Sequence, residues 1–313
     1  MTLRSYLVPE DFIGMRIDAV LSSFTGISRT KCADLVADQK VWLDGQVVAK
    51  SALRISMQCV IEVDIPAPPA EQPQETPVPG MQVIYEDTDI IVVDKPAGVA
   101  AHASLNFEGP NVLGALLAAG VQLTTSGPPE RKGIVHRLDV GTSGCMVVAK
   151  SEQAYTVLKR AFKERTVTKI YHALVQGLPD PLSGTIDAPI GRDYRHQWKM
   201  GVRENGKHAI THYDVIEVMP RAALCEIHLE TGRTHQIRVH MAAIKHPCVG
   251  DEMYGADPVH AARLQLQRQW LHAVKLGFSH PITGKYVEFS SSYPTDLHNS
   301  LEHLRTGFDP NNF

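Results

Sequence analysis

Residues 136–144 bring an acid, two basic side chains and two hydroxyl groups into one short segment. The segment reads His-Arg-Leu-Asp-Val-Gly-Thr-Ser-Gly, and apolar runs flank it at 133–135 and 145–149. We therefore expect Asp139 to be enclosed by the fold, where an unpaired charge would be costly. An aspartate in a turn is more often structural, because its side chain readily bonds nearby backbone amides. The surrounding residues decide between the two interpretations.

A second polar segment supplies cations. Residues 230–240 read Glu-Thr-Gly-Arg-Thr-His-Gln-Ile-Arg-Val-His, so that Arg233 and Arg238 lie among apolar residues. Arg137 adds a third guanidinium beside the acid. A nearby cation keeps an enclosed carboxylate ionised. This combination favours a catalytic role for Asp139.

Several common kinds of site are not indicated. His235 and His240 are five residues apart, which separates them by roughly 140° on a helix and places them on opposite faces of a strand. No His-Glu-x-x-His or paired-cysteine pattern occurs elsewhere. The run from Gly141 to Gly144 has neither Walker-loop nor Gly-x-Ser-x-Gly spacing. We expect no metal and no bound cofactor.

The composition is that of an ordinary globular protein. The chain has 313 residues, of which 43% are hydrophobic and 21% charged, and its formal net charge is −3. It has no apolar run near the roughly 20 residues that span a bilayer, and acids occupy its first residues, so we expect a cytoplasmic protein without membrane contact. Five scattered cysteines do not describe a disulfide framework. The net charge allows a nucleic-acid site only as a local basic patch.

Proline density divides the chain. Residues 66–80 contain the proline-rich run and predict a linker between a small domain at 1–65 and a large domain at 81–306, with a tail at 307–313. In the small domain the pattern predicts a helix near 16–21, a second helix capped by Ser28 and reaching about Asp38, a hairpin turning at Asp44-Gly45, and a strand at 60–63.

The large domain is predicted to be rich in strands. Apolar patterning indicates strands at 82–85, 89–94, 171–175, 212–217 and 223–229. A helix is predicted at 152–163, and another should start near Thr234 and stop before Pro247.

Two groups of basic residues could contact RNA. The cluster in the large domain consists of Lys159, Arg160, Lys163, Arg165 and Lys169, interleaved with aromatic residues. In the small domain Arg29, Lys31 and Lys40 surround the second helix. Such clusters are usually solvated faces, and residues 1–65 hold seven Lys/Arg against eight Asp/Glu. RNA binding there requires that the charges segregate on the folded surface.

The motifs together resemble those of the RluA/RluD-type pseudouridine synthases. The resemblance rests on His136-Arg137-Leu138-Asp139-x-x-Thr142-Ser143-Gly144, preceded by Lys95-Pro96-Ala97-Gly98 and followed by Tyr171 and the 231–240 segment. It covers about residues 82–305, and the first 65 residues resemble a small RNA-binding domain of ribosomal-protein type. The implied fold is α+β, with a mixed, mainly antiparallel catalytic sheet, flanking helices and a small α+β N-terminal domain.

The resemblance also implies roles for particular residues. Asp139 becomes the catalytic aspartate, Arg233 its ion-pair partner, and Tyr171 a residue that contacts the target uracil. Arg137 should fill the gap left by a nucleotide that swings out of its stack, and Arg238 is expected among the RNA-binding residues. An apolar pocket of Ile134, Leu138 and Ile237 would retain the detached uracil.

The expected activity is cofactor-free isomerisation of uridine to pseudouridine in RNA by a monomer. Large-subunit ribosomal RNA is the favoured substrate, and transfer RNA is the alternative. A non-catalytic RNA-binding assembly factor is a second alternative. A glycosidic hydrolase would normally use two acids, whereas the central motif has one.

Overall fold

The computed structural model describes residues 2–65, 75–103, 107, 109–193 and 199–306. The chain divides into two compact units, Met1–Glu71 and Gln72–Phe313. Most of the predicted linker, residues 66–74, and the predicted tail at 307–313 lie outside the described residues. Within the described part of the chain, no helix is both long and apolar enough to cross a bilayer.

The N-terminal unit is a four-stranded antiparallel sheet with two helices. Its elements are β1 (Thr2–Leu7), α1 (Ile17–Thr25), α2 (Arg29–Ala37), β2 (Val41–Leu43), β3 (Gln46–Val47) and β4 (Val60–Ile65). The strand order is β1-β4-β2-β3. Ser28 caps α2 by accepting a hydrogen bond from the Lys31 amide. Both helices and the hairpin match the prediction, whereas β1 has no clear signal in the sequence.

Nine strands of the second unit form one sheet. They are β5 (Gln82–Glu86), β6 (Ile90–Lys95), β7 (Ser143–Ala149), β8 (Thr168–Gln176), β9 (Ser183–Asp187), β12 (Ile210–Met219), β13 (Ala222–Leu229), β14 (Leu271–Ser279) and β15 (Tyr286–Ser290). The order is β5-β6-β7-β14-β8-β13-β12-β9, and β15 also pairs with β14. A separate ribbon joins β10 (Ile190–Arg192) to β11 (Met200–Val202). Among the described strands only β7 and β14 pair in parallel, so the predicted mixed, mainly antiparallel α+β class is confirmed.

Five helices accompany this sheet in the described residues. They are α3 (Val112–Ala118), α4 (Glu152–Glu164), α5 (Gln236–Ala243), α6 (Pro258–Arg263) and α7 (Thr295–Thr306). The helix predicted at 152–163 is α4. The helix predicted from Thr234 begins two residues later, because His235 adopts a left-handed backbone with φ of 56° and caps α5 instead of joining it.

The two faces of the sheet bury different clusters. Ile91 and Val93 pack with α3 and α5 on one face, whereas Ile90 and Val92 pack with α4 on the other. Strands buried on both faces are continuously apolar instead of alternating, as 90–93 and 145–149 are. Tyr171 belongs to the face that carries α5, and α4 covers the opposite face.

Gly144 allows the parallel contact between β7 and β14. Its φ is +117°, and a Cβ atom there would lie 2.3 Å from the Ala273 carbonyl oxygen. A side chain would therefore meet backbone in a conformation that L residues rarely adopt. This contact joins the segment that follows Asp139 to the centre of the sheet.

We predict that Gly144→Ala destabilises the protein by roughly 3 kcal/mol or more, because backbone strain and a backbone clash add. Gly284→Ala is the matched control, since Gly284 has φ of +70° with open space around it. The control should lose only about 1 kcal/mol. Urea denaturation followed by circular dichroism measures both losses, and equal losses would show that β14 moves away without cost.

Candidate active site

A cleft that is open to solvent forms where the 137–142 loop, β8, the start of β14 and the segment leading into α5 meet. Its walls are Arg137, Leu138, Asp139, Thr142, Tyr171, Leu229, Gly232, Arg233, Thr234, His235, Gln236, Ile237, Arg238 and Leu271. The two polar segments that stand out in the sequence therefore come together in one cleft.

His136 attaches the loop to the sheet. Its Nε2 accepts a hydrogen bond from the Val147 amide at 3.0 Å, and its ring stacks on Phe162 with centroids 4.5 Å apart. Burial lowers the pKa of His136 to about 3, so the ring is neutral at physiological pH. His136 is thus a fixed support for the residues that follow it.

The turn after Asp139 is held from several directions. The Thr142 amide donates to the Asp139 carbonyl at 3.0 Å, and the Gly98 amide donates to the Val140 carbonyl at 2.8 Å. Arg268 Nη1 donates to the Gly141 carbonyl at 3.0 Å. The backbone that carries the acid has little freedom to move.

Asp139 faces a guanidinium inside the cleft. Arg238 Nη1 lies 3.6 Å from Asp139 Oδ2, and the two side chains are 8% and 16% exposed, respectively. Little solvent screens this pair, so the two charges attract each other more strongly than they would in water.

Arg238 is itself held by a second acid. Its Nε and Nη2 donate to the two carboxylate oxygens of Asp251 at 2.6 and 2.8 Å, and the Tyr254 ring lies 4.9 Å from its guanidinium carbon. Burial lowers the pKa of Arg238, but the hydrogen bonds and charge of Asp251, followed by the charge of Asp139, more than offset this and raise it above its ordinary value. Arg238 is a permanent cation.

The expected partnership of Arg233 with Asp139 is corrected by this geometry. Among the ion pairs of the described residues, Asp139 takes part in the one with Arg238 and in no other. Arg233 lines the cleft, and its Nε donates to the His208 carbonyl at 3.0 Å. The reason is that Arg233 precedes α5, whereas Arg238 lies on the helix face turned toward Asp139. Arg238, which was expected among the RNA-binding residues, lines the cleft with its side chain buried between Asp139 and Asp251.

Gln236 locks the segment that leads into α5. Its Oε1 accepts from the Thr231 hydroxyl at 2.7 Å and from the Arg233 amide at 2.9 Å. Its Nε2 donates to the Ile210 carbonyl at 2.9 Å and to Thr211 Oγ1 at 3.0 Å. This buried amide ties the cleft wall to β12.

Tyr171 projects from β8 into the cleft and is 8% exposed. Burial, and after it the nearby charge of Asp139, raise the pKa of its phenol above the ordinary value. The hydroxyl therefore stays protonated and can donate a hydrogen bond at any physiological pH.

The apolar wall differs in part from the predicted one. Leu138 and Ile237 line the cleft, whereas Ile134 lies in the core, bridges to Val148 and is not among the lining residues. Leu229 and Leu271 complete the wall. These two leucines come from strand ends that no motif marks.

The basic residues expected to bind RNA lie in different places. Arg137 is exposed at the cleft. Lys159 and Lys163 lie on α4, and the Lys159 ammonium donates to the Tyr155 hydroxyl at 3.1 Å. In the small unit Arg29 pairs with Asp18 at 3.2 Å and Lys40 with Asp38 at 3.6 Å, while Lys31 is exposed.

Several site residues escape sequence reasoning. Asp251 and Tyr254 lie in residues 247–254, whose only signal is an acid after an apolar run. Lys95 belongs to the Lys95-Pro96-Ala97-Gly98 motif, but the sequence assigns it no role of its own. In the described residues no group of three or more His, Cys, Asp or Glu side chains is arranged to hold a metal ion.

Comparison with known proteins identifies the family. The RNA pseudouridylate synthase family matches residues 89–243. The chain is 57% identical over 307 residues to an uncharacterized RNA pseudouridine synthase of Mycobacterium bovis, covering 97% of this chain and 99% of that one. It is 39% identical over 308 residues to ribosomal large subunit pseudouridine synthase D of Zymomonas mobilis, covering 95% and 96%.

A solved structure agrees with this match. Human RNA Pseudouridylate Synthase Domain Containing 4 superposes with a TM-score of 0.57 at 26% identity, covering 71% of this chain and 92% of that one. The chain belongs to the RNA pseudouridine synthase family and is of the RluA/RluD type. The predicted enzyme class, an isomerase acting on RNA, is confirmed.

Lys95 lies directly behind the acid-bearing loop and is fully buried. Its ammonium donates to the carbonyls of Val99 at 2.7 Å and Pro96 at 2.9 Å. Burial lowers the pKa of Lys95 to about 7, with the charge of Asp139 opposing the shift. The folded protein thus holds this proton less tightly than the unfolded chain does.

This buried ammonium makes the stability of the protein depend on pH. Between pH 7 and the ordinary lysine pKa of 10.5, the unfolded chain binds a proton that the folded one has released, so stability rises with pH. We predict that wild type gains about 2 kcal/mol relative to Lys95→Met between about pH 7 and pH 9. Urea denaturation of both proteins across this range measures the difference. A constant difference would mean that Lys95 keeps its ordinary pKa.

Proposed function

We propose that this protein isomerises uridine to pseudouridine in large-subunit ribosomal RNA, with Asp139 as the catalytic carboxylate and Arg238 as the cation that keeps it ionised. The observation that carries the proposal is the enclosed pair of Asp139 and Arg238 in the cleft. The ribosomal substrate is favoured by the Zymomonas mobilis relative, which is named a ribosomal large subunit pseudouridine synthase and aligns with 95% of this chain.

The reaction requires a base that leaves and returns. The bond between uracil N1 and the ribose breaks, the ring turns, and C5 forms the new bond to the same sugar carbon. C5 then releases its proton, which exchanges with water, and N1 takes up a proton. A carboxylate facing the ribose can either accept a proton from the sugar or attack it while the first bond breaks. Asp139 is equipped for either route because Arg238 maintains its charge. No step calls for a cofactor.

The acid content of the cleft favours isomerisation over hydrolysis. Enzymes that hydrolyse glycosidic bonds normally place two carboxylates on either side of the bond. Among the described residues that line this cleft, Asp139 is the one acid. A second acid that would activate water is therefore not supplied by the cleft wall.

The remaining walls suit a detached uracil. Leu138, Leu229, Ile237 and Leu271 offer apolar surface that would exclude water and retain the ring while it turns. The protonated Tyr171 hydroxyl would donate to a uracil carbonyl. Ile134 would support this wall from the core behind it.

Extrusion of the target nucleotide requires positive charge at the mouth. An enzyme that acts on a stacked base must first flip it out, at a cost of a few kcal/mol. Arg137 is exposed beside the acid and can stack in the vacated space. Arg233 is placed to contact a phosphate at the rim, and Lys159 and Lys163 are candidates for phosphate contacts outside the cleft. We further propose that the protein acts as a monomer in the cytoplasm.

The experiment uses RNA carrying tritium at uracil C5, since only formation of the new C5 bond releases that label. We expect wild type to release tritium from large-subunit ribosomal RNA, and Asp139→Asn to lower the rate at least about 10³-fold while RNA affinity is kept. Tritium release from transfer RNA alone would show that transfer RNA, and not ribosomal RNA, is the substrate. Free uracil with abasic RNA would indicate hydrolysis, and no release from either RNA by folded protein would contradict catalysis.

The two arginines provide a matched comparison in the same assay. Arg238→Lys should lower kcat about 10²-fold with little change in KM, because lysine lacks the planar fork that serves two acids at once. Arg233→Lys should mainly raise KM. If Arg233→Lys lowered kcat and Arg238→Lys mainly raised KM, Arg233 would be the ion-pair partner of Asp139.

We further propose that the small unit binds RNA through the basic side chains around α2. Lys31 and Lys40 would contact phosphates, while Arg29 is partly neutralised by Asp18. Phosphate contacts of this kind are sequence-independent and weaken with salt.

The double variant Lys31→Glu/Lys40→Glu should lower RNA affinity and reduce the slope of log affinity against log salt by about 2, because each of the two lysines accounts for about one unit of slope. Lys50→Glu is the control, an exposed lysine of the same unit outside this group. Filter binding at several salt concentrations measures the slopes. If Lys50→Glu and the double variant reduced the slope equally, RNA affinity would depend on the net charge of the unit and not on the position of these lysines.

A further inference from the structure

Asp251 is a buried acid on the far side of Arg238 from Asp139. Its side chain is 1% exposed. The turn that carries it is anchored through backbone bonds, since the Asp251 amide donates to the Cys248 carbonyl at 3.0 Å and the Val249 amide donates to the Leu174 carbonyl at 2.8 Å. The Trp270 amide in turn donates to the Val249 carbonyl at 2.7 Å. Asp251 is thus fixed to the central strands of the sheet.

The turn that carries Asp251 sets the orientation of the Arg238 guanidinium. Asp251 occupies Nε and Nη2, which leaves Nη1 directed toward Asp139 at 3.6 Å. A bidentate pair fixes the plane of a guanidinium as well as its position. Tyr254, three residues after Asp251, covers the guanidinium, and its hydroxyl is hydrogen-bonded to His235 Nδ1 at 2.8 Å.

We propose that Asp251 is a positioning residue for pseudouridine formation, which orients Arg238 and shares its positive charge with Asp139. The inference rests on the proposed role of Asp139. One guanidinium serves two carboxylates, so each receives only part of its attraction. Without the charge of Asp251, Arg238 would be free to move and would bind Asp139 more strongly, making that carboxylate less basic and less nucleophilic.

Other ionisable groups lie near Asp139, Arg238 and Asp251, and they must be the same in wild type and in every variant that is compared. Those that act electrostatically on Asp139, Arg238 or Asp251, or line the cleft beside them, are Lys95, Arg137, Tyr171, Arg233, His235, Cys248 and Tyr254. A substitution at Asp251 leaves every one of them in place. A shift between two pH profiles therefore reports the charge at position 251.

The test measures the steady-state rate of tritium release at several concentrations of large-subunit ribosomal RNA, between about pH 4.5 and pH 8. For Asp251→Asn we expect kcat to fall about 10- to 100-fold, KM to stay within about twofold, and the acid limb of the profile to move to lower pH by about half a unit or more. The direction follows because an unshared Arg238 charge favours ionised Asp139. Asp251→Glu keeps the negative charge but displaces it. In this variant kcat should therefore fall, while the acid limb of the pH profile stays at its wild-type pH.

Glu217→Gln is the matched control. Glu217 also accepts two hydrogen bonds from one arginine, Arg305, at 2.8 and 2.6 Å, but on β12 and α7 away from the cleft. It should leave both kcat and the acid limb unchanged. Unchanged kcat in Asp251→Asn, or a loss that is uniform across pH, would overturn the inference.

Two further outcomes have a defined meaning. If Asp251→Asn does not fold, Asp251→Glu decides, and wild-type kcat in that variant would overturn the positioning role. Different results would contradict the positioning role of Asp251 and the catalytic role of Asp139. Activity retained in Asp139→Asn would reject the acid whatever Asp251 does, whereas an inactive Asp139→Asn with an unaffected Asp251→Asn would reject the positioning role alone.

Discussion

One guanidinium shared between two enclosed carboxylates is the interaction on which this active site depends. Arg238 holds Asp251 through two short hydrogen bonds and faces Asp139 with its remaining nitrogen. Breaking such a buried set would leave an uncompensated charge, which is strongly destabilising. The surrounding structure holds these three side chains at fixed distances from one another. A flexible cleft could not keep the three side chains at these distances.

Each of the three charges is supplied by a different part of the fold. Asp139 lies in the loop before β7, Arg238 on α5, and Asp251 on the turn fixed to β8. The parallel contact of β7 with β14 brings the loop to the middle of the sheet, and it requires the glycine at position 144. The half-buried His136 and the buried Gln236 then fix the loops by accepting hydrogen bonds from backbone amides. The acid is thus located by backbone hydrogen bonds as well as by packing.

Much of the fold is predictable because its signals are local. Ser28 caps a helix, Asp44-Gly45 turns a hairpin, and the apolar run at 90–93 forms a buried strand, each for reasons contained in a few neighbouring residues. The start of α5 differs from the predicted one by two residues because the left-handed backbone of His235 has no local signature. Ile134, which was predicted to line the pocket, is absent from the observed cleft wall because it lies in the core, where it bridges to Val148.

The sequence by itself determined the class of chemistry, since an aspartate within the 136–144 motif, followed by a segment with two arginines, is specific to one enzyme family. Only the tertiary structure decided which arginine serves the acid. Arg233 and Arg238 are chemically identical and five residues apart, so composition and spacing cannot distinguish them. The start of α5 and the distant Asp251 do, because an ion pair depends on distance and orientation in space, and those are set by strand order and helix position.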